Sequence, residues 1–180
     1  FTLHSGNWLS NAKSNTTFEI GNGGSTAISR SYKALRINNR IINDIDKAPL
    51  TPEQKNEILG QAYFYRSWFY FQIIKRYGGM PIIDKVFEGG DDDIPRVTYH
   101  ESHDWMMEDI QKAIYMLPDS WDDPNYGRPT KIAAMALKEW AQLFDASPLM
   151  QNDLNSTENK GYDTERAKSA AKSAIVVSVS

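Results

Sequence analysis

From Ser29 onward the apolar residues recur at helical spacing. Tyr32, Leu35, Ile42 and Ile45 stand 3, 7 and 3 positions apart, which puts them on one face of a first helix closing near Lys47. Pro49 marks a turn. Thr51-Pro52-Glu53-Gln54 supplies an N-cap, a proline at the first helical position and an acid in the first turn, and so opens a second helix that runs to about Tyr77. Gly78-Gly79 ends it. Between Ala62 and Ile74 ten of thirteen residues are apolar, with only Arg66, Ser67 and Gln72 interrupting, so this helix must be covered on several sides. Met80-Pro81-Ile82-Ile83 reads as a short extended piece and Glu88 to Asp93 as a loop.

A third helix is predicted from near Thr98, with Trp105, Met106, Ile110, Ala113, Ile114 and Leu117 on its buried face and Pro118 as its stop. The fourth begins at Thr130, with Ala133, Ala136, Leu137, Trp140, Leu143 and Phe144 as its apolar stripe and Pro148 beyond its end. A loop rich in Asn, Asp and Ser leads to Asp163, a suitable N-cap for a fifth. The pattern is helix pairs in series, in an all-α chain. Alternating Ala and large aromatic positions let neighbouring helices approach, as in a tetratricopeptide-like solenoid with long irregular loops. Helix starts near 29, 98 and 163 are 69 and 65 residues apart, about twice the usual ~34-residue repeat. Residues 1–27, rich in Asn, Ser, Thr and Gly, form an irregular leading segment ahead of helical repeats over 28–180. Lys168 to Ser180 reads as a helix without a stop signal, so the expectation is a piece of a longer protein truncated at its C-terminus.

Composition narrows the function. The chain of 180 residues carries 20 Lys and Arg against 23 Asp and Glu, a net charge of −3 with the cations scattered among acids, which excludes nucleic acid as a partner. At 41% apolar and 12% aromatic residues it can bury a core, and no apolar run approaches the ~20 residues a membrane-spanning helix needs. Cysteine is absent, which removes disulfides, thiolate metal sites and Cys nucleophiles.

Chemistry-bearing motifs are few. His100-Glu101-Ser102-His103 does not match a His-Glu-x-x-His zinc motif, and the remaining histidine, His4, lies in another segment, so a solvated helix N-terminus is the reading and no metal is assigned. Asp91-Asp92-Asp93 and Asp119, Asp122 and Asp123 lack the alternating spacing of a calcium loop and read as solvated acidic loops. No nucleophile elbow, phosphate loop or dinucleotide fingerprint occurs, so no catalytic residue and no cofactor is assigned. What stands out is aromatic rings in loops: Trp8, Phe18, Trp121 and Tyr126. Flat rings beside Asn and Asp suit carbohydrate, whose C–H faces stack on rings while amides and carboxylates take the hydroxyls. Asn7, Trp8, Asn11, Trp121 and Tyr126 are therefore the candidate ligand residues, against the alternative that each Trp merely anchors its loop.

Several stretches, taken in order, resemble the SusD/RagB family of outer-membrane nutrient-binding lipoproteins of Bacteroidetes. They are Tyr32 with Asn39-Arg40-Ile41-Ile42; Glu57 and Gly60 to Phe71, running into Arg76-Tyr77-Gly78-Gly79-Met80-Pro81-Ile82-Ile83; Arg96-Val97-Thr98; Asp109-Ile110, Ala113 and Leu117-Pro118; Gly127 to Ala134; and Ser147-Pro148-Leu149-Met150. The resemblance implies a SusD-like helical superhelix, lipid-anchored at the cell surface through a Cys outside this chain. It implies a protein that captures an oligosaccharide and caps a SusC-type TonB-dependent transporter, with no bond cleavage. The alternatives are a peptide-binding RagB-like lipoprotein, a helical protein-interaction scaffold and, less favoured, a helical glycoside hydrolase. The ligand surface in the family is built by loops, one of them in the place of residues 1–25. Arg66, inside an apolar helix, is expected to pair internally.

Overall fold

The computed structural model describes residues 27–87, 93–151 and 161–179, with side chains described over 28–87, 93–151 and 161–174. Asn7, Trp8, Asn11, His4, Asp91 and Asp92 lie outside the described residues. Among the described residues there are five α-helices and no strand: α1 (Ala27–Asp44), α2 (Pro52–Tyr77), α3 (Tyr99–Met116), α4 (Lys131–Asp145) and α5 (Thr164–Val179). The all-α expectation holds, and none of these helices is long and apolar enough to cross a membrane.

The ends of the helices follow local chemistry. Thr51 and Thr98 each make a reciprocal capping box, with Gln54 and Glu101 respectively, satisfying donors that the first turn leaves free. Thr130 Oγ1 accepts from Ala133 N, and Asp163 Oδ1 accepts from Glu165 N and Arg166 N. Gly78 closes α2 with φ +75°, a backbone region that a Cβ would strain.

Each helix packs on the next, and α2 also touches α4. The pairings run antiparallel: Arg66 meets Asn39 of α1 while Lys55, nearer the start of α2, meets Asp46 in the turn that follows α1, and Ser67 meets Met106 of α3 while Gly60 meets Leu117 just past its end. A Cβ on Gly60 would stand 3.0 Å from Met116 Cβ, so the missing side chain is what lets α2 and α3 close up. Tyr70, Phe71, Ile73 and Ile74 of α2 are fully buried against Leu35, Met106, Ile110 and Leu137 from the three helices around it. α2 is the central helix, as its apolar content requires.

Arg66 pairs internally. Its Nε and Nη2 donate to both oxygens of Asp109 at 2.5 and 2.8 Å, and Nη1 donates to Asn39 Oδ1 at 2.8 Å. Asn39 Nδ2 in turn donates to the carbonyls of Ile83 and Lys85, so this buried network holds the extended segment after α2 against the first three helices. Arg96 reinforces the same segment by donating to the Gly79 and Tyr77 carbonyls.

The apolar stripe of α4 differs from expectation. Its buried face is Ala134, Leu137, Ala141 and Asp145, whereas Trp140 and Leu143 are 42% and 63% exposed. Small side chains let α4 sit close in the stack, and Trp140 lies at the margin, edge-on to Phe71 with the Lys75 ammonium 4.3 Å from its ring centre.

Candidate functional site

The loop between α3 and α4 brings together the two candidate ring residues that the structure describes. Pro118 cannot continue α3, and its carbonyl instead accepts from Lys131 N at 2.9 Å, which closes the loop at its base. Inside, Asp123–Asn125 forms a 3₁₀ turn, braced by Asn125 Nδ2 donating to Asp122 Oδ1 at 2.6 Å. Gly127 then takes φ +92°, a reversal that returns the chain toward Thr130.

Trp121 and Tyr126 have different roles in this loop. The indole of Trp121 packs on Ala113, Leu117 and Ala134, and its Nε1 donates to Pro129 O at 2.8 Å. It anchors the loop. Tyr126 is 91% exposed, so packing does not explain it. Both line a recess of about 330 Å³ together with Asp119, Ser120 and Arg128, whose guanidinium stands 5.5 Å from the Trp121 ring centre. The recess thus offers an aromatic wall, a projecting phenol and carboxylate and hydroxyl acceptors, which is the chemistry of a neutral polyhydroxylated ligand. Asn7, Trp8 and Asn11 lie outside the described residues, so the structure brings none of them to this recess.

The two histidines of α3 do not form the solvated terminus expected of them. His103 is 4% exposed, and both rings turn to Asp145 at the end of α4. His100 Nδ1 lies 2.7 Å from Asp145 Oδ1, and Arg166 of α5 donates to Asp145 Oδ2 at 2.5 Å. One buried carboxylate therefore ties α3, α4 and α5. Burial alone would raise its pKa, but the hydrogen bonds of His100 and Arg166 and the Arg166 charge hold it below the usual carboxylate range. Burial pushes His103 down, outweighing the attraction of Asp145 and Asp104, so the ring stays neutral. Among the described residues no group of three or more potential ligands could hold a metal ion.

Asp145 and Arg166 were not singled out from the sequence. One signal was available: an acid in the last turn of an otherwise apolar helix opposes the helix dipole, which marks a residue held there by something else.

Comparisons with known proteins agree with this architecture. Residues 1–139 match the SusD-like family described as starch-binding associating with outer membrane. A SusD-like protein, P38, of Formosa agariphila is 28% identical over 102 residues, covering 56% of this chain and 20% of its own length. A SusD-like protein of Bacteroides fragilis, solved by crystallography, is 32% identical with a TM-score of 0.70 over 84% of this chain and 26% of its own. Another crystal structure, with xylogluco-oligosaccharide, superposes with a TM-score of 0.68 over 84% of this chain and 28% of its own, and at 20% identity that likeness concerns the fold. The chain thus spans about a fifth to a quarter of the first two relatives' length.

Proposed function

This chain belongs to the SusD-like family, and on that premise we propose that it serves a surface protein that captures neutral oligosaccharide and passes it on without breaking bonds. The match over residues 1–139 is the observation that carries the reading. The geometry supports it in one place: Tyr126 projects over a recess walled by Trp121, with Asp119 and Ser120 within the same lining. The helices act as the frame and the loops as the receptor. In this reading the protein is anchored at the outer membrane by lipid and caps a SusC-type TonB-dependent transporter, with Asn7, Trp8 and Asn11 completing the ligand surface beside Trp121 and Tyr126.

A second reading has a specific observation in its favour. The Trp121 N–H is committed to the Pro129 carbonyl and its ring packs on the α3/α4 core, as expected of a loop anchor in a protein-interaction scaffold. Tyr126 separates the two. Tyr126→Ala is expected to leave stability within about 0.5 kcal/mol of the parent while weakening binding of maltohexaose or xylogluco-oligosaccharide about two- to tenfold, the worth of one ring contact. Unchanged affinity for both sugars, measured by calorimetry, turns the choice toward the scaffold. Copurification of the native protein in detergent with a large β-barrel tests the transporter partner, and repeated failure to find one removes it.

A further inference from the structure

A second cavity lies away from the loop recess. The groove between α3, α4 and α5 encloses about 640 Å³, within the ~300–1,000 Å³ of pockets that take small ligands. Consecutive turns of α3 present Glu108, Gln111 and Tyr115 to it, and they face Lys138 and Gln142 on α4 and Ser169 on α5.

Charge decides what such a groove accepts. Three cations line it, Lys112, Lys138 and Arg166, against three acids, Asp104, Glu108 and Asp145. Arg166 is held by Asp145 and Asp104, and Lys138 donates to Gln111 Oε1. Lys112 sits 5.2 Å from the Tyr63 ring centre and 3.7 Å from Asp109. The positive charge is thus spent within the protein, which disfavours an anionic ligand. Glu108 is exposed and has no partner among the described residues, so it is free to accept hydrogen bonds.

The unmet hydrogen bonds point the same way. Gln142 Nε2 donates to Ser169 Oγ while its buried Oε1 has no partner. Turning the amide over leaves the other end unmet, since the serine hydroxyl can serve either end but only one at a time. His103 Nε2, at the inner end of the same lining, is also buried without a partner. Its Nδ1 faces Asp104 and Asp145 and so carries the proton in the neutral ring, which leaves Nε2 as an acceptor. Tyr115 adds a ring that is 82% exposed and makes no packing contribution of note.

We propose that this groove is a second glycan subsite, taking a neutral oligosaccharide with one ring stacked on Tyr115 and its hydroxyls on Gln142 and Glu108. The ligand class rests on the capture reading above, and the location rests on the groove itself. A sugar hydroxyl, both donor and acceptor, satisfies the Gln142 amide in either orientation, and the exposed phenol ring takes the C–H face.

The test is an NMR titration of the isotope-labelled 180-residue chain with maltohexaose and, separately, xylogluco-oligosaccharide. At least one sugar is expected to shift the side-chain amides of Gln111 and Gln142 and the backbone of Ser169. Tyr115→Ala is expected to weaken those shifts about five- to tenfold, and Tyr115→Phe to retain them. Tyr126→Ala should leave them unmoved. Shifts confined to residues 119–130 overturn the groove proposal and leave the loop reading standing. Shifts in the groove that survive Tyr115→Ala undiminished overturn the stacking role and with it the proposal. A chain that responds nowhere to either sugar ends both.

Discussion

Removing Asp109 leaves a buried positive charge without its partner. Arg66 and Asp109 have side chains only 6% and 2% exposed, and the two hydrogen bonds between them are charge-assisted. In Asp109→Ala the guanidinium keeps only Asn39 Oδ1 at 2.8 Å and the Asp84 carbonyl at 3.4 Å. It also stays between the rings of Tyr63 and Trp105, at 5.4 and 5.2 Å from their centres, with no room for bulk water. Breaking such a pair costs about 3–5 kcal/mol, a large share of the ~5–15 kcal/mol that holds a domain together. For a chain of this size that lowers the melting temperature by about 6–20 °C. The double replacement Arg66→Met with Asp109→Leu removes both charges and takes the donor from the Asn39 amide oxygen and, at the longer 3.4 Å contact, from the Asp84 carbonyl, at about 1–3 kcal/mol, so it should be more stable than Asp109→Ala alone. Urea titrations followed by far-ultraviolet circular dichroism and by tryptophan fluorescence measure all corners of the cycle. Asp109→Asn, which keeps one acceptor, serves if the alanine variant does not fold. A loss under about 1 kcal/mol for Asp109→Ala, or a double variant less stable than the single, refutes the reasoning.

Three further outcomes follow from the same contacts. Because the folded state holds His103 neutral, the unfolded chain takes up a proton the fold excludes once pH drops below about 6.5, so stability falls with acid at up to ~1.4 kcal/mol per pH unit for that group. Asp145, held below the usual range, adds a second loss under about pH 4. Urea midpoints from pH 8 to 5 should show the first slope flattened in His103→Gln, and an equal slope in both proteins refutes it. Gly79→Ala places a Cβ 1.9 Å from the Val97 carbonyl oxygen, a backbone atom that cannot swing aside, and should destabilise by about 3 kcal/mol or more; thermal melting at parental temperature contradicts this. Trp121→Phe keeps the packing on Ala113 and Leu117 but leaves the Pro129 carbonyl without its donor, and chemical denaturation should register about 1 kcal/mol lost, with no change pointing to an indole bond that does not persist in solution.

Much of the scaffold was legible in one dimension. Thr51, Thr98, Thr130 and Asp163 announce four helix starts, and Gly78 and Pro118 announce stops, because capping and termination act within about four residues of the chain. The apolar run from Ala62 to Ile74 declared a central helix for the same local reason, and Arg66 within it declared the need for a partner. The partner's identity was out of reach. Asp109 lies 43 positions on, and Asp145 lies 45 from His100 and 21 from Arg166. Those pairings depend on the crossing of helices whose angles and offsets are set by side-chain volumes, Gly60 and Ala134 among them, and no window of sequence contains both ends. The same limit explains α4, where periodicity found a stripe but could not tell the edge that meets α3 from the margin where Trp140 and Leu143 face solvent. Helix existence is a property of neighbours along the chain. Which carboxylate is buried, and which ring is left exposed, is decided only when the helices meet.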